Sequence, residues 1–204
     1  GNATMWAYPW LWHNALRYVD WPNTTVVDVG SEMSPLPWIT AMLGARVTLV
    51  ASDSRCVPRW KELRDAFGVA LDWHIVSGTV LPIPTGSADL VTCCSGIERE
   101  ETTAAAVSDV ARVLKDDGMF ALSFDLCENG MTSPAGNGRA LTRRGFEDLI
   151  WRHPAFHAEV RPAWNDADIP WFHAWHLRSG PHHDCVVGAA ILYRAARTSS
   201  DRMR

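Results

Sequence analysis

Apolar runs of strand length alternate with segments of helical spacing through most of the chain. Leu11, Ala15, Leu16 and Val19 recur at helical intervals, predicting a helix over Pro9 to Asp20 that Trp21-Pro22-Asn23 ends. Thr24 to Val29 is a β-branched run typical of a buried strand, and Gly30 breaks it. Ser34-Pro35 follows as a helix cap with proline at the first helical position, and that helix stops near Gly44. Strands are then expected over Val47 to Ala51, Leu71 to Val76, Ala88 to Cys94 and Met119 to Phe124. Helices are expected over Val57 to Phe67 and Glu100 to Leu114. A Gly-, Asn-, Ser- and Pro-rich stretch, Cys127 to Arg139, reads as a loop. A helix capped by Thr142 runs to Trp151, with late strands over Phe156 to Val160 and Asp184 to Tyr193.

Strand and helix alternate through the first five strands, which parallel strands joined by helical crossovers satisfy most simply. The two late strands add an antiparallel edge. The expectation is one α/β domain with a doubly wound, mostly parallel seven-stranded sheet and an antiparallel edge strand. Residues 1–23 form an N-terminal helical cover, 24–125 the core, 126–194 a substrate-side loop, helix and last strands, and 195–204 a tail.

The composition narrows the function. A formal net charge of -4, with Lys and Arg scattered, argues against a nucleic-acid surface. No apolar stretch approaches the roughly 20 residues of a membrane helix. Five cysteines without a CxxC pair suit reduced thiols in a cytoplasmic protein. Eleven tryptophans are unusual, and six fall in the first third of the chain. They suit either a core or an aromatic wall around a flat ligand.

In an open parallel sheet, ligands bind beyond the carboxyl ends of the strands where strand order reverses. The first such end is Asp28-Val29-Gly30, where glycine permits a tight turn and close backbone approach. Five segments, in order, then carry a resemblance. These are Asp28-Val29-Gly30, the strand from Gly44 to Val50, Leu81-Pro82-Ile83-Pro84-Thr85-Gly86-Ser87-Ala88-Asp89-Leu90-Val91, Ser95-Gly96-Ile97-Glu98-Arg99, and Ala111-Arg112-Val113-Leu114-Lys115-Asp116-Asp117-Gly118. Over about residues 24 to 125 the chain resembles the class I S-adenosylmethionine-dependent methyltransferases, which have a Rossmann-like fold.

That resemblance implies S-adenosylmethionine as cofactor and a small, aromatic or apolar methyl acceptor. It implies cofactor contacts from Asp28, Gly30, Ser31, Glu32, Ser52, Asp53, Ser77, Gly78, Thr79, Cys94, Ser95 and Gly96. Tyr8, Trp10 and His13, with Asn129 from the loop, would line the acceptor pocket. Glu98 and Asp125, just beyond the fourth and fifth strands, are the candidate catalytic acids or bases; Glu98 also reads as a helix-opening carboxylate beside Glu100 and Glu101. The chain departs from the family's pattern at Glu32 and Ser34, where glycines are usual, and at Ala51, where an acid usually receives the ribose hydroxyls. Asp53 is the nearest substitute.

The departures keep an alternative open: an inactive or repurposed methyltransferase-like protein serving as a partner subunit. A homodimer is also compatible. A nicotinamide-dependent oxidoreductase is disfavoured, because the second and third glycines of GxGxxG would fall on Glu32 and Pro35. His173, His176, His182, His183, Asp184 and Cys185 have no recognised metal-ligand spacing, so no metal is expected there.

Overall fold

The structure is a computed structural model, and it describes residues 4–30, 33–94, 96–97, 100–127, 141–158 and 185–196. Its strands are β1 (Thr25–Val29), β2 (Arg46–Ala51), β3 (Leu71–Ile75), β4 (Ala88–Cys94), β5 (Leu114–Cys127), β6 (Phe156–His157) and β7 (Cys185–Arg194). They form one seven-stranded sheet in the order β3-β2-β1-β4-β5-β7-β6. The first five are parallel neighbours, whereas β7 runs antiparallel to both β5 and β6. The sheet is thus mostly parallel, with its antiparallel strand β7 lying between β5 and the short outermost β6. Strand order reverses between β1 and β4, which fixes where a ligand cleft belongs.

The helices are α1 (Thr4–Asn14), α2 (Leu36–Met42), α3 (Val57–Phe67), α4 (Glu100–Val113) and α5 (Arg143–Phe146), which continues as a π turn over Glu147–Trp151. Strand pleating sends alternate residues to opposite faces, and both faces are covered. Val26, Val47, Leu49 and Leu90 pack with Leu11 of α1, Leu36 and Trp38 of α2 and Trp60 of α3. Val27, Val91 and Leu122 pack on the other face with Val107 and Val110 of α4 and Ile150 of the π turn. Trp21, Trp38 and Trp60 are buried, and Trp12 stacks on Trp21 with ring centroids 6.0 Å apart. These tryptophans are core rather than an aromatic wall.

Two elements differ from the pattern expected of them. The first helix begins at Thr4, passes through Pro9 and ends at Asn14, rather than spanning Pro9 to Asp20. Ala15 breaks it with φ -140°, the Asn14 side-chain amide donates back to the Trp10 carbonyl, and Leu16–Tyr18 forms a 3-10 turn. The fifth strand begins at Leu114, directly after α4. The turn expected at Asp116-Asp117-Gly118 is a bulge inside β5, where pairing jumps from Ala88↔Leu114 to Leu90↔Met119 and Asp117 takes φ 62°.

The segments that carried the resemblance largely hold the sheet together. Arg112 of α4 donates to the carbonyls of Leu81 and Ile83, each at 2.8 Å, and to the Asp109 carboxylate at 2.6 Å. Asp109 in turn accepts from the Leu81 N–H at 2.6 Å. Partial burial pushes the Asp109 carboxyl up, but the bonds from Arg112 and Leu81 outweigh it and hold the carboxyl below the ordinary range. Asp89 accepts from the Thr25 N–H at 2.9 Å and from Lys115 at 2.6 Å, tying β4 to the start of β1 and to β5.

Candidate functional site

The site is built on the carboxyl ends of β1 and β4. Asp28 is 2% exposed, and its carboxylate accepts from the Thr92 hydroxyl at 2.5 Å across the β1–β4 pairing. That bond braces the two strands just before their loops diverge. Gly30 turns the chain with φ +72° while its N–H donates to the Val50 carbonyl at 2.8 Å. A Cβ built on Gly30 would stand 2.8 Å from the Gly96 Cα, so the loops beyond β1 and β4 meet at two glycines. Thr103 of α4 steadies the second loop by donating to the Ile97 carbonyl at 2.6 Å. Ser34, where the family usually has glycine, is buried and accepts from the Leu36 N–H at 3.2 Å, but the N-cap position of α2 falls on Pro35 rather than on Ser34 as expected.

The neighbouring strand ends supply the polar rim. Ala51, at the end of β2, is buried and offers no acceptor. Ser52 is exposed, and Asp53 starts the 3-10 turn Ser54–Cys56 with its carboxylate accepting from the Arg55 N–H at 2.8 Å. The Arg55 guanidinium also bonds that carboxylate, and these bonds lower its pKa from the ordinary aspartate value. Asp53 is therefore ionised at neutral pH. A carboxylate has about four lone-pair sites, so these contacts leave capacity for ribose hydroxyls. Beyond β3, Ser77 and Gly78 are exposed and Thr79 half-buried; a Cβ on Gly78 would meet nothing within 4 Å.

Beyond the reversal, β4 ends at buried Cys94 and β5 carries half-buried Asp125 near its own end. Alternation places Thr92, Cys94, Ser123 and Asp125 on the face that α1 covers, since Thr92 pairs with Ala121 and Cys94 with Ser123. Tyr8 and Trp10 of α1 pack half-buried against the apolar cluster of that face, whereas His13 is exposed. Ser31, Glu32, Ser95, Glu98 and Asn129 lie outside the described residues, as do His173, His176, His182, His183 and Asp184. Among the described residues, no group of three His, Cys, Asp or Glu side chains is placed to hold a metal ion, and no helix is long and apolar enough to cross a membrane.

Thr92 and Ser123 were not singled out by the motifs. Their signal was a polar residue inside an otherwise apolar strand, which in a sheet covered on both faces calls for a partner or a purpose.

Residues 27–122 match the methyltransferase domain family. That match, just under half of the chain, supports a class I S-adenosylmethionine-dependent methyltransferase family. Solved methyltransferase folds agree with this. One S-adenosylmethionine-dependent methyltransferase, from Mesorhizobium loti, superposes with a TM-score of 0.65 at 15% identity, covering 95% of this chain and 99% of that one. The geranyl diphosphate C-methyltransferase of Streptomyces coelicolor superposes at 0.63 with 14% identity, covering 87% of this chain and 72% of that one. The cyclase SpnF superposes at 0.66 with 17% identity, covering 85% and 75%. No curated protein matches the chain in sequence. At such identities the likeness concerns the fold.

Proposed function

We propose that the protein transfers a methyl group from S-adenosylmethionine to a small, aromatic or otherwise apolar molecule. The observation that carries this reading is the glycine turn at Gly30, set at the strand-order reversal with an ionised Asp53 one strand away. The residues fit the cofactor. Gly30 lets backbone approach it, Asp53 offers a carboxylate to the ribose hydroxyls, and the exposed backbone about Ser77 and Gly78 would meet the base. When bound, the sulfonium supplies a methyl group already activated for transfer.

The protein's own task is then mainly positioning. The Asp28–Thr92 bond holds the floor rigid, and the Gly30–Gly96 contact sets how closely the two loops flank the donor. The side chains facing α1 would hold the acceptor. Asp125, on the same face, would take a proton from an acceptor that must lose one. Glu98 remains a candidate for the same role.

Ala51 favours a second reading, in which the fold is kept without methyl transfer, for example as a partner subunit. Calorimetric titration with S-adenosylhomocysteine separates the two. Under the methyltransferase reading the wild type binds. Asp53→Ala then weakens binding about 10- to 100-fold, as expected for a charge-assisted hydrogen bond, whereas Asp72→Ala, on exposed β3 surface, leaves it unchanged. No binding at millimolar ligand would sink the methyltransferase reading, and equal effects of the two substitutions would displace the ribose anchor from Asp53.

A further inference from the structure

Ser123 stands out on the α1-covered face. It is 0% exposed, and its Oγ has no hydrogen-bond partner. The large majority of buried side-chain polar atoms are paired, because an orphaned one forfeits its bonds to water without replacement. Its surroundings are small. Cys94 pairs with it on one side and Ala189 on the other, and Ala121 precedes it on the same face. Position matters as much as burial. Asp53 lies beyond β2, whereas Ser123 lies on β5, on the opposite side of the β1–β4 reversal. A donor anchored at Asp53 and crossing the reversal would end toward Ser123.

We propose that the Ser123 hydroxyl binds the methyl acceptor, by a hydrogen bond to a hydroxyl or carbonyl of a small and otherwise apolar molecule. The assignment rests on the methyltransferase reading above. A serine hydroxyl both donates and accepts, so it suits either partner group. The small side chains about it offer a flat apolar floor, and α1, which packs against β5 and β7, is the roof such a molecule must part from the sheet. Ser123 offers one hydroxyl among small apolar neighbours, so the ligand class is an aromatic or aliphatic molecule with a polar atom near the reacting end.

Phenol and toluene test this directly, because they share a ring and differ by one hydroxyl. Both are titrated into protein saturated with S-adenosylhomocysteine, for the wild type, Ser123→Ala and the size-conserving Ser123→Cys. The wild type should bind phenol about 5-fold more tightly than toluene, the worth of one net hydrogen bond. Ser123→Ala should erase that preference, keep S-adenosylhomocysteine affinity, and melt at the same temperature or about 2–4 °C higher, since it removes an unpaired buried atom. Ser123→Cys should retain at most part of the preference, thiols being weak donors. An unchanged phenol preference in Ser123→Ala, no phenol binding to the wild type, or weakened S-adenosylhomocysteine binding in the variant would each overturn the assignment. Failure of the wild type to bind S-adenosylhomocysteine overturns the methyltransferase reading itself, and the acceptor role with it.

Discussion

Gly30 and Gly96 meet without a side chain between them, and a Cβ on either would stand 3.0 Å or less from the other's Cα. Contact and conformation can be separated by comparison with Gly68, which closes α3 with φ +62° and has nothing within 4 Å of a built Cβ. Gly68→Ala should cost only the left-handed penalty, about 1–2 kcal/mol. Gly30→Ala carries that penalty and must also push the two loops apart. Its melting temperature should fall at least about 4 °C below that of Gly68→Ala, with S-adenosylhomocysteine affinity lost alongside. Equal melting temperatures for the two variants would show that the loops yield freely.

Arg112 is the fold's counterpart of that contact, because one side chain holds α4 to the segment leading into β4. Arg112→Met removes the bonds to Leu81, Ile83 and Asp109 together and leaves the half-buried carbonyls unpaired. A loss of about 2–3 kcal/mol is expected, measured by urea unfolding. Arg112→Lys should recover less than half of it, since an ammonium cannot reproduce the planar fork that spans two carbonyls and a carboxylate. Full recovery by lysine would show that charge alone matters there.

The same residue shows why the fold was legible from the sequence. Leu81, Asp89, Arg112 and Lys115 are recognisable because Arg112 of α4 bonds Leu81 before β4 and Lys115 of β5 bonds Asp89 of β4, so their order in the chain reflects a fixed geometry. The site was less legible. Asp28 is polar at the right strand end, yet its visible bond is to Thr92, a partner 64 positions away that only the strand register reveals. Ser123 sits in an apolar run and becomes informative only once its Oγ is seen to lack a partner. The first helix was misplaced because Pro9 reads as a helix start, whereas the chain tolerates it in the second turn.

His153 gives the fold a pH dependence of definite sign. The Ala155 N–H donates to Nδ1 at 3.3 Å, so Nδ1 is the unprotonated nitrogen and Nε2–H points to the Ser108 hydroxyl at 3.1 Å. Burial lowers the His153 pKa, and the Arg194 guanidinium lowers it further. The folded state therefore binds this proton less readily than the unfolded state does. Its stabilising contribution is complete above about pH 6.5, the unfolded value, and is lost as pH falls below that toward the depressed folded value. Urea midpoints at pH 7.5 and 5.5 should drop more for the wild type than for His153→Gln. Identical drops would assign the acid sensitivity to other groups.

The Asp28–Thr92 bond decides how Asp28 serves the site. If Asp28 acts by bracing β1 against β4 under Gly30, the donor side of the brace should matter as much as the carboxylate. Thr92 is 1% exposed and gives its hydroxyl hydrogen to the Asp28 carboxylate. Thr92→Val removes the hydroxyl with little change of shape and should cost about 1.5–3 kcal/mol, the range for a hydrogen bond to a charged group. It should also weaken S-adenosylhomocysteine binding, because the turn that receives the ligand loses its footing. If Asp28 instead contacts the ligand directly, Thr92→Val leaves its carboxylate in place with one more free lone pair, and affinity holds or improves while stability falls. A double-mutant cycle with Asp28→Asn completes the comparison. Under the bracing role the affinity losses of the two single variants overlap, so the double variant binds hardly worse than either alone. Simple addition of the two losses would give Asp28 a separate, direct contact.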